Sequence, residues 1–280
     1  MSFNYYQNWL NVGILEVDYL CRMKCKSRLF FIGLIVLNIL FNSCKKSGSL
    51  TIQFKPRAGG QSLVLNQAYK NSEGKNFEIE RLKFYISDLN IVVSGKSFLL
   101  SEIALLDASK PSSLEFRFDD FDDITITKLE FGMGVKAALN NPTKSNSYDL
   151  GQFVASNPLS ASQNMYWSMT NDYRFFMLEG KSDTSVSQNA SIDPTKYRSF
   201  LYHVGKDKFF TSIYVDAKSF SLEQGKENRL IVNFDLEKVF VSNSDTINMA
   251  TEFYTEAMTL QQEDLAQRMM DNIKNAFSVE

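Results

Sequence analysis

The chain has 280 residues with 30 basic and 32 acidic side chains, a formal net charge of −2, three cysteines and a single histidine. This balance offers no electrostatic footprint for a nucleic-acid partner. One histidine leaves only His203 to serve any Ser-His or Cys-His nucleophilic pair.

In chain order, the first readable segment is "MKCKSRLFFIGLIVLNILFNSC", residues 23–44. Lys24, Lys26 and Arg28 precede an uncharged apolar run from Leu29 to Phe41 that closes on Ser43-Cys44. Its 13 residues match the roughly 7–15 of a secretory h-region and fall short of the roughly 20 needed to span a membrane. Leu40, a small residue and then cysteine resemble a lipobox, which predicts a lipoprotein signal at 23–43 and a lipidated Cys44 heading a tether at 44–49. The alternative is an ordinary signal peptide with a chance cysteine. Residues 1–22 read as an extension upstream of a usable Met23, so Trp9 and Cys21 stay out of the fold argument. Removing residues 1–43 takes away four basic and two acidic residues and moves the net charge to −4. The remaining domain, 50–280, has no cysteine and is long enough to bury a core without disulfides.

From Leu50 the dominant signal has period two. "LTIQF" places Leu50, Ile52 and Phe54 on one face, "RLKFYI" does so with Leu82, Phe84 and Ile86, and "LEFRF" with Leu114, Phe116 and Phe118. The alternation slips by one between Ile86 and Leu89, which predicts a bulge. "ITITKLEFGM", "YRFFMLE", "FLYHV", "FFTSIYVDA" and "RLIVNFDL" are further strands, separated by turn-rich segments. Lys181–Lys196 reads as a surface loop. Leu265, Met269, Ile273 and Phe277 recur every fourth residue, and with Thr259 and Gln262 as a capping box they predict an amphipathic helix over 259–277. The fold class is therefore all-β: a β-sandwich of many short, mostly antiparallel strands with one C-terminal α-helix.

No nucleophile elbow, P-loop, dinucleotide-binding or zinc-protease motif occurs, and the chain reads as a non-enzyme. "DDFDD" at 119–123 has the hard oxygens of a calcium ligand set, but reads better as a solvated hairpin turn. Asn189-Ala190-Ser191 matches a glycosylation sequon by spacing alone.

Six stretches carry a resemblance: "GKNFEIERLKFYISDLNIV", "ITKLEFGMGV", "YWSMTNDYRFFMLEGK", "FLYHVG", "RLIVNFDLEKVF" and "LAQRMMDNIKNAFSV". In this order they resemble the MbnP-like copper-binding proteins, secreted or lipid-anchored bacterial proteins, over nearly all of Leu50–Val279. The resemblance implies a sandwich-like fold and a single copper held by histidine and by kynurenine made from tryptophan. It also implies a dihaem peroxidase-like partner that performs the oxidation. Carried over by motif, Trp167 and His203 are the metal-site residues, with Met165, Met169 and Met258 as softer helpers. Alternation places Trp167 and Met169 on one face, joined by Tyr173 and Phe175 if the strand continues past Asn171. Two positions depart from the family pattern: Lys55 and Pro56 stand where a first-strand histidine is expected, and "TEAMTLQQ" lacks one ahead of the helix. The competing reading is a metal-free interaction or scaffold module of the cell envelope, with Trp167 in the core and His203 a structural histidine.

Overall fold

The computed structural model describes residues 47–71, 74–140, 153–168, 170–184, 196–242 and 245–280. The signal segment, Cys44, Met169 and the sequon lie outside the described residues.

Fourteen strands are present among the described residues. In chain order they are β1 (Gly48–Ala58), β2 (Gln61–Ser62), β3 (Ala68–Lys70), β4 (Asn76–Val93), β5 (Lys96–Asp107), β6 (Glu115–Phe121) and β7 (Ile124–Met133). They continue with β8 (Tyr166–Trp167), β9 (Asp172–Asp183), β10 (Tyr197–Gly205), β11 (Thr211–Leu222), β12 (Glu227–Asp235), β13 (Tyr254–Thr255) and β14 (Phe277–Val279). Three α-helices accompany them: α1 (Ala137–Asn140), α2 (Glu237–Phe240) and α3 (Leu260–Ile273).

The smaller sheet has the order β14-β12-β1-β2, with β6 also on β1. The larger runs β11-β7-β4-β9-β10-β13, with β3 and β5 on β4 and β8 on β9. Pairing is antiparallel except for β1 with β12 and β10 with β13, so the expected sandwich is the observed one.

Period-two residues supply the core between the sheets. Leu50, Ile52 and Phe54 of β1 and Leu230, Val232 and Phe234 of β12 meet Leu82, Phe84, Phe176, Leu178 and Tyr202 of the larger sheet. The predicted slip in β4 is real: Asp88 takes φ +50°, and the register with β5 and β7 shifts between Ser87 and Asn90.

Four expectations are corrected. Tyr173, Phe175 and Met177 are buried on the far side of the larger sheet beneath Val135, Leu159 and Met165, so β9 is covered on both faces rather than one. The covering segment is tied down by Tyr85 and Tyr173, whose hydroxyls donate to the carbonyls of Pro158 (2.6 Å) and Leu159 (2.7 Å). "DDFDD" is not a hairpin turn, because β6 belongs to the smaller sheet and β7 to the larger, making Asp122-Asp123 a crossover between layers. Strand β9 runs to Asp183, so Lys181, Ser182 and Asp183 are ladder residues, not loop.

The helix is the fourth. Thr259 caps α3, its hydroxyl accepting from the Gln262 N–H (3.3 Å) while the Gln262 side-chain oxygen accepts from the Met258 N–H (2.9 Å). Leu265, Met269 and Ile273 are buried as the stripe predicts, but the helix ends at Ile273. Phe277 opens β14 and pairs with Phe234. A four-residue repeat cannot distinguish another helical turn from a strand that lands on the same core.

Candidate functional site

The chain reverses between β8 and β9 through Asn171 at φ +56°, a conformation asparagine tolerates. Trp167 thereby pairs back onto Asp172, so no single strand carries Trp167, Tyr173 and Phe175 on one face. Trp167 is buried at 3% exposure. Gly205 makes room for it: a Cβ there would lie 2.5 Å from the Tyr173 carbonyl oxygen and 3.3 Å from the indole.

His203 sits two residues earlier on β10, opposite Met177 of β9, while its neighbours Tyr202 and Val204 face the inter-sheet core. It is 5% exposed, and its ring centroid lies 6.1 Å from that of Trp167 at an interplanar angle of 62°. The structure thus brings together the two residues that the motifs single out.

Their surroundings are charged. His203 Nε2 is 2.8 Å from Glu179 Oε1, and the other oxygen of Glu179 takes Arg81 Nη1 at 2.7 Å. With Nε2–H donating to Glu179, Nδ1 is a buried acceptor without a hydrogen-bond partner, 3.6 Å from Glu256 Oε1. The parallel pairing of β13 with β10 delivers Glu256, whose second oxygen accepts from the Tyr254 hydroxyl at 2.6 Å. That bond, with burial and the carboxylate charge, pushes the Tyr254 phenol up to about 12. The Arg174 guanidinium lies over the Trp167 ring at 4.8 Å from its centroid, a cation–π contact. It also donates to the Asn164 carbonyl at 3.2 Å.

Burial pulls the His203 pKa below its ordinary value. Arg174 adds to this, and together they outweigh the opposing carboxylates. The folded state therefore prefers the neutral imidazole, whereas the unfolded chain takes up a proton near pH 6.5. Stability from this group is complete above that pH and is lost as pH falls toward the depressed folded value. Urea titrations at pH 7 and pH 5 are expected to show a larger loss for the wild type than for His203→Gln; parallel losses would place the effect elsewhere.

Of the softer candidates, Met165 and Met258 are among the described residues. Met165 is fully buried in the far-side cluster with Tyr85 and Tyr173. Met258 is 38% exposed ahead of α3. Lys55 and Pro56 belong to β1 in the smaller sheet. The motifs did not mark Glu179, Glu256 or Arg174. Glu179 was accessible in principle as the one carboxylate in the apolar run "RFFMLEG", whereas Glu256 arrives through a two-residue parallel bridge that leaves no local pattern.

Copper can be tested against this donor set. Among the described residues no group of three or more His, Cys, Asp or Glu side chains could hold a metal ion. The imidazole offers one bare nitrogen beside one carboxylate, the intact indole N–H can only donate, and a guanidinium occupies the indole face. Those residues do not fit a resident copper ion.

Sandwich and site together define a class: a two-sheet β-domain bearing a buried Trp–His pair in a network of fixed charges. The chain belongs to the MbnP family, whose model matches residues 47–261. A solved structure of MbnP from Methylosinus trichosporium is similar over 84% of this chain and 98% of that one, at 14% identity and a TM-score of 0.47. No curated protein matches the chain.

Proposed function

We propose that this protein is a lipid-anchored cell-envelope member of the MbnP family that works as a metal-free, non-catalytic interaction module. One observation carries the reading: the only imidazole is engaged by Glu179 while Arg174 stacks on Trp167, so the pair is held by charge pairing and cation–π contact. A half-buried guanidinium beside the imidazole also repels an incoming cation. Without a ligand role, Trp167 needs no oxidation and the chain needs no dihaem peroxidase-like partner.

Copper titration of the full chain from its native host is expected to give no stoichiometric binding, with an intact mass corresponding to unmodified Trp167. The bare Nδ1 of His203 is the feature that favours the second reading, copper through His203. Stoichiometric copper lost in His203→Ala would establish that reading and overturn the first.

The anchor rests on the sequence before Ser47. Cys44→Ser is expected to release the protein from the membrane fraction or to accumulate an uncleaved precursor. Unchanged membrane association of a correctly cleaved Cys44→Ser protein would remove the lipid anchor from the proposal.

A further inference from the structure

Helix α3 and the segment 251–254, which runs into β13, face each other across a slot of about 310 Å³. That volume lies at the lower end of the range of small-molecule sites. Gln261, Asp264, Leu265 and Arg268 line it from the helix, at the spacing that puts them on one helical face. The two walls are pinned to each other at both ends. At one end Arg268 Nη1 donates to Glu252, while its Nε and Nη2 donate to Asp245 at 2.6 and 3.0 Å. At the other the Thr255 hydroxyl donates to the Gln262 carbonyl at 2.7 Å. The slot is therefore held open by the fold itself rather than by what enters it.

Its charges are mostly engaged already. The second oxygen of Glu252 accepts from the Asn248 N–H at 3.0 Å, so Glu252 and Arg268 are occupied by each other and by their neighbours. Asp264 is 4.0 Å from Arg268 with its side chain 72% exposed, which leaves its carboxylate able to accept. The Gln261 side chain is exposed. The side-chain oxygen of Gln262 takes the Met258 N–H at 2.9 Å, which leaves the Gln262 amide nitrogen to donate. The available groups are thus neutral amides and one exposed carboxylate, beside apolar surface from Phe253, Tyr254 and Leu265.

This set selects among ligand chemistries. An anion would meet the Asp264 and Glu252 carboxylates with the guanidinium already paired. A cation gains little from a single solvent-exposed carboxylate, and a wholly apolar molecule would strip water from the amides without replacing it. A hydroxyl both donates and accepts, and a sugar ring combines several hydroxyls with an apolar C–H face. We propose that this slot binds a neutral sugar, its hydroxyls held by Asp264, Gln261 and Gln262 and its ring seated between the helix and the 251–254 wall. This gives the interaction module proposed above its ligand class and rests on that reading. The two fail separately, because copper is read by metal stoichiometry and the slot by titration with sugar.

The test is calorimetric titration of the full chain at pH 7 with the methyl glycosides of glucose, galactose, mannose and N-acetylglucosamine. Saturable one-to-one binding of at least one of them is expected in the millimolar range or tighter. The open-chain polyol sorbitol should bind about tenfold more weakly, because it must be ordered to fit. The double variant Gln261→Ala/Asp264→Ala is expected to lose about tenfold in affinity, the scale of two hydrogen bonds. Its thermal unfolding should match the wild type, since both side chains are exposed. Absence of saturable binding by all four glycosides, equal binding of sorbitol, or unchanged affinity in the double variant would each overturn the proposal.

Discussion

Replacing Phe277 with alanine is expected to destabilise the fold by about 3–5 kcal/mol, the range for truncating a buried aromatic side chain. The ring is 8% exposed and lies parallel to Phe234 at 4.4 Å between centroids. Phe131 meets it edge-on at 5.1 Å, Phe54 at 6.4 Å and Phe84 at 6.5 Å. It is therefore the ring where β14, β12, β1, β7 and β4 come together. Removing it opens a cavity that backbone shifts cannot readily close, because β14 is pinned to β12 by its ladder. The measurement is the urea midpoint at constant m-value. A loss under about 1 kcal/mol, well below the Phe→Ala range, would mean that the aromatic cluster re-forms without Phe277.

Gly180→Ala is expected to cost about 3 kcal/mol, the upper end of what overpacking does. A Cβ at Gly180 would stand 2.0 Å from the Glu78 carbonyl oxygen and 2.5 Å from the Phe200 ring. The ring can turn, but the carbonyl is part of the β4–β9 ladder, where Gly180 pairs with Ile79. Relief requires those central strands to separate, and they carry the core and Glu179 together. Gly180 does not lie at positive φ, so thermal unfolding of Gly180→Ala reads out the packing clash without a backbone-strain contribution. A loss below about 1 kcal/mol, the lower end of the overpacking range, would show that close strand approach does not constrain this position.

Sequence patterning captured what alternates. Strand β7 was read at its observed limits, and β9, β10, β11 and β12 were found because each presents a clear apolar face or run. Strand β5, "KSFLLSEIALLD", went unread: its leucines and isoleucine do not alternate, and most of the strand is exposed or half-buried at a sheet edge. The far-side layer was equally hidden, since "YRFFMLE" looks the same whether one face or two are covered until Val135, Leu159 and Met165 are in place. At the site, the motifs single out Trp167 and His203, whose rings lie 6.1 Å apart between centroids. The charges that set their chemistry come from three other places in the chain, and such juxtapositions are made by tertiary pairing rather than by local spacing.

The parallel pairing of β1 with β12 has a consequence for how the chain reaches its native state. Asn228 donates its side-chain amide to the Ser49 carbonyl across 179 positions of sequence, and β1 is flanked along its length by β12. A strand made at the start of the domain thus waits for partners made near its end, and β14, which borders β12, comes last of all. Such non-local closure is slow, and the smaller sheet is complete only once β12 and β14 have been made. Until β12 is made, β1 has only β2 and β6 beside it, so the packing of the two sheets against each other is a late event in the life of the chain.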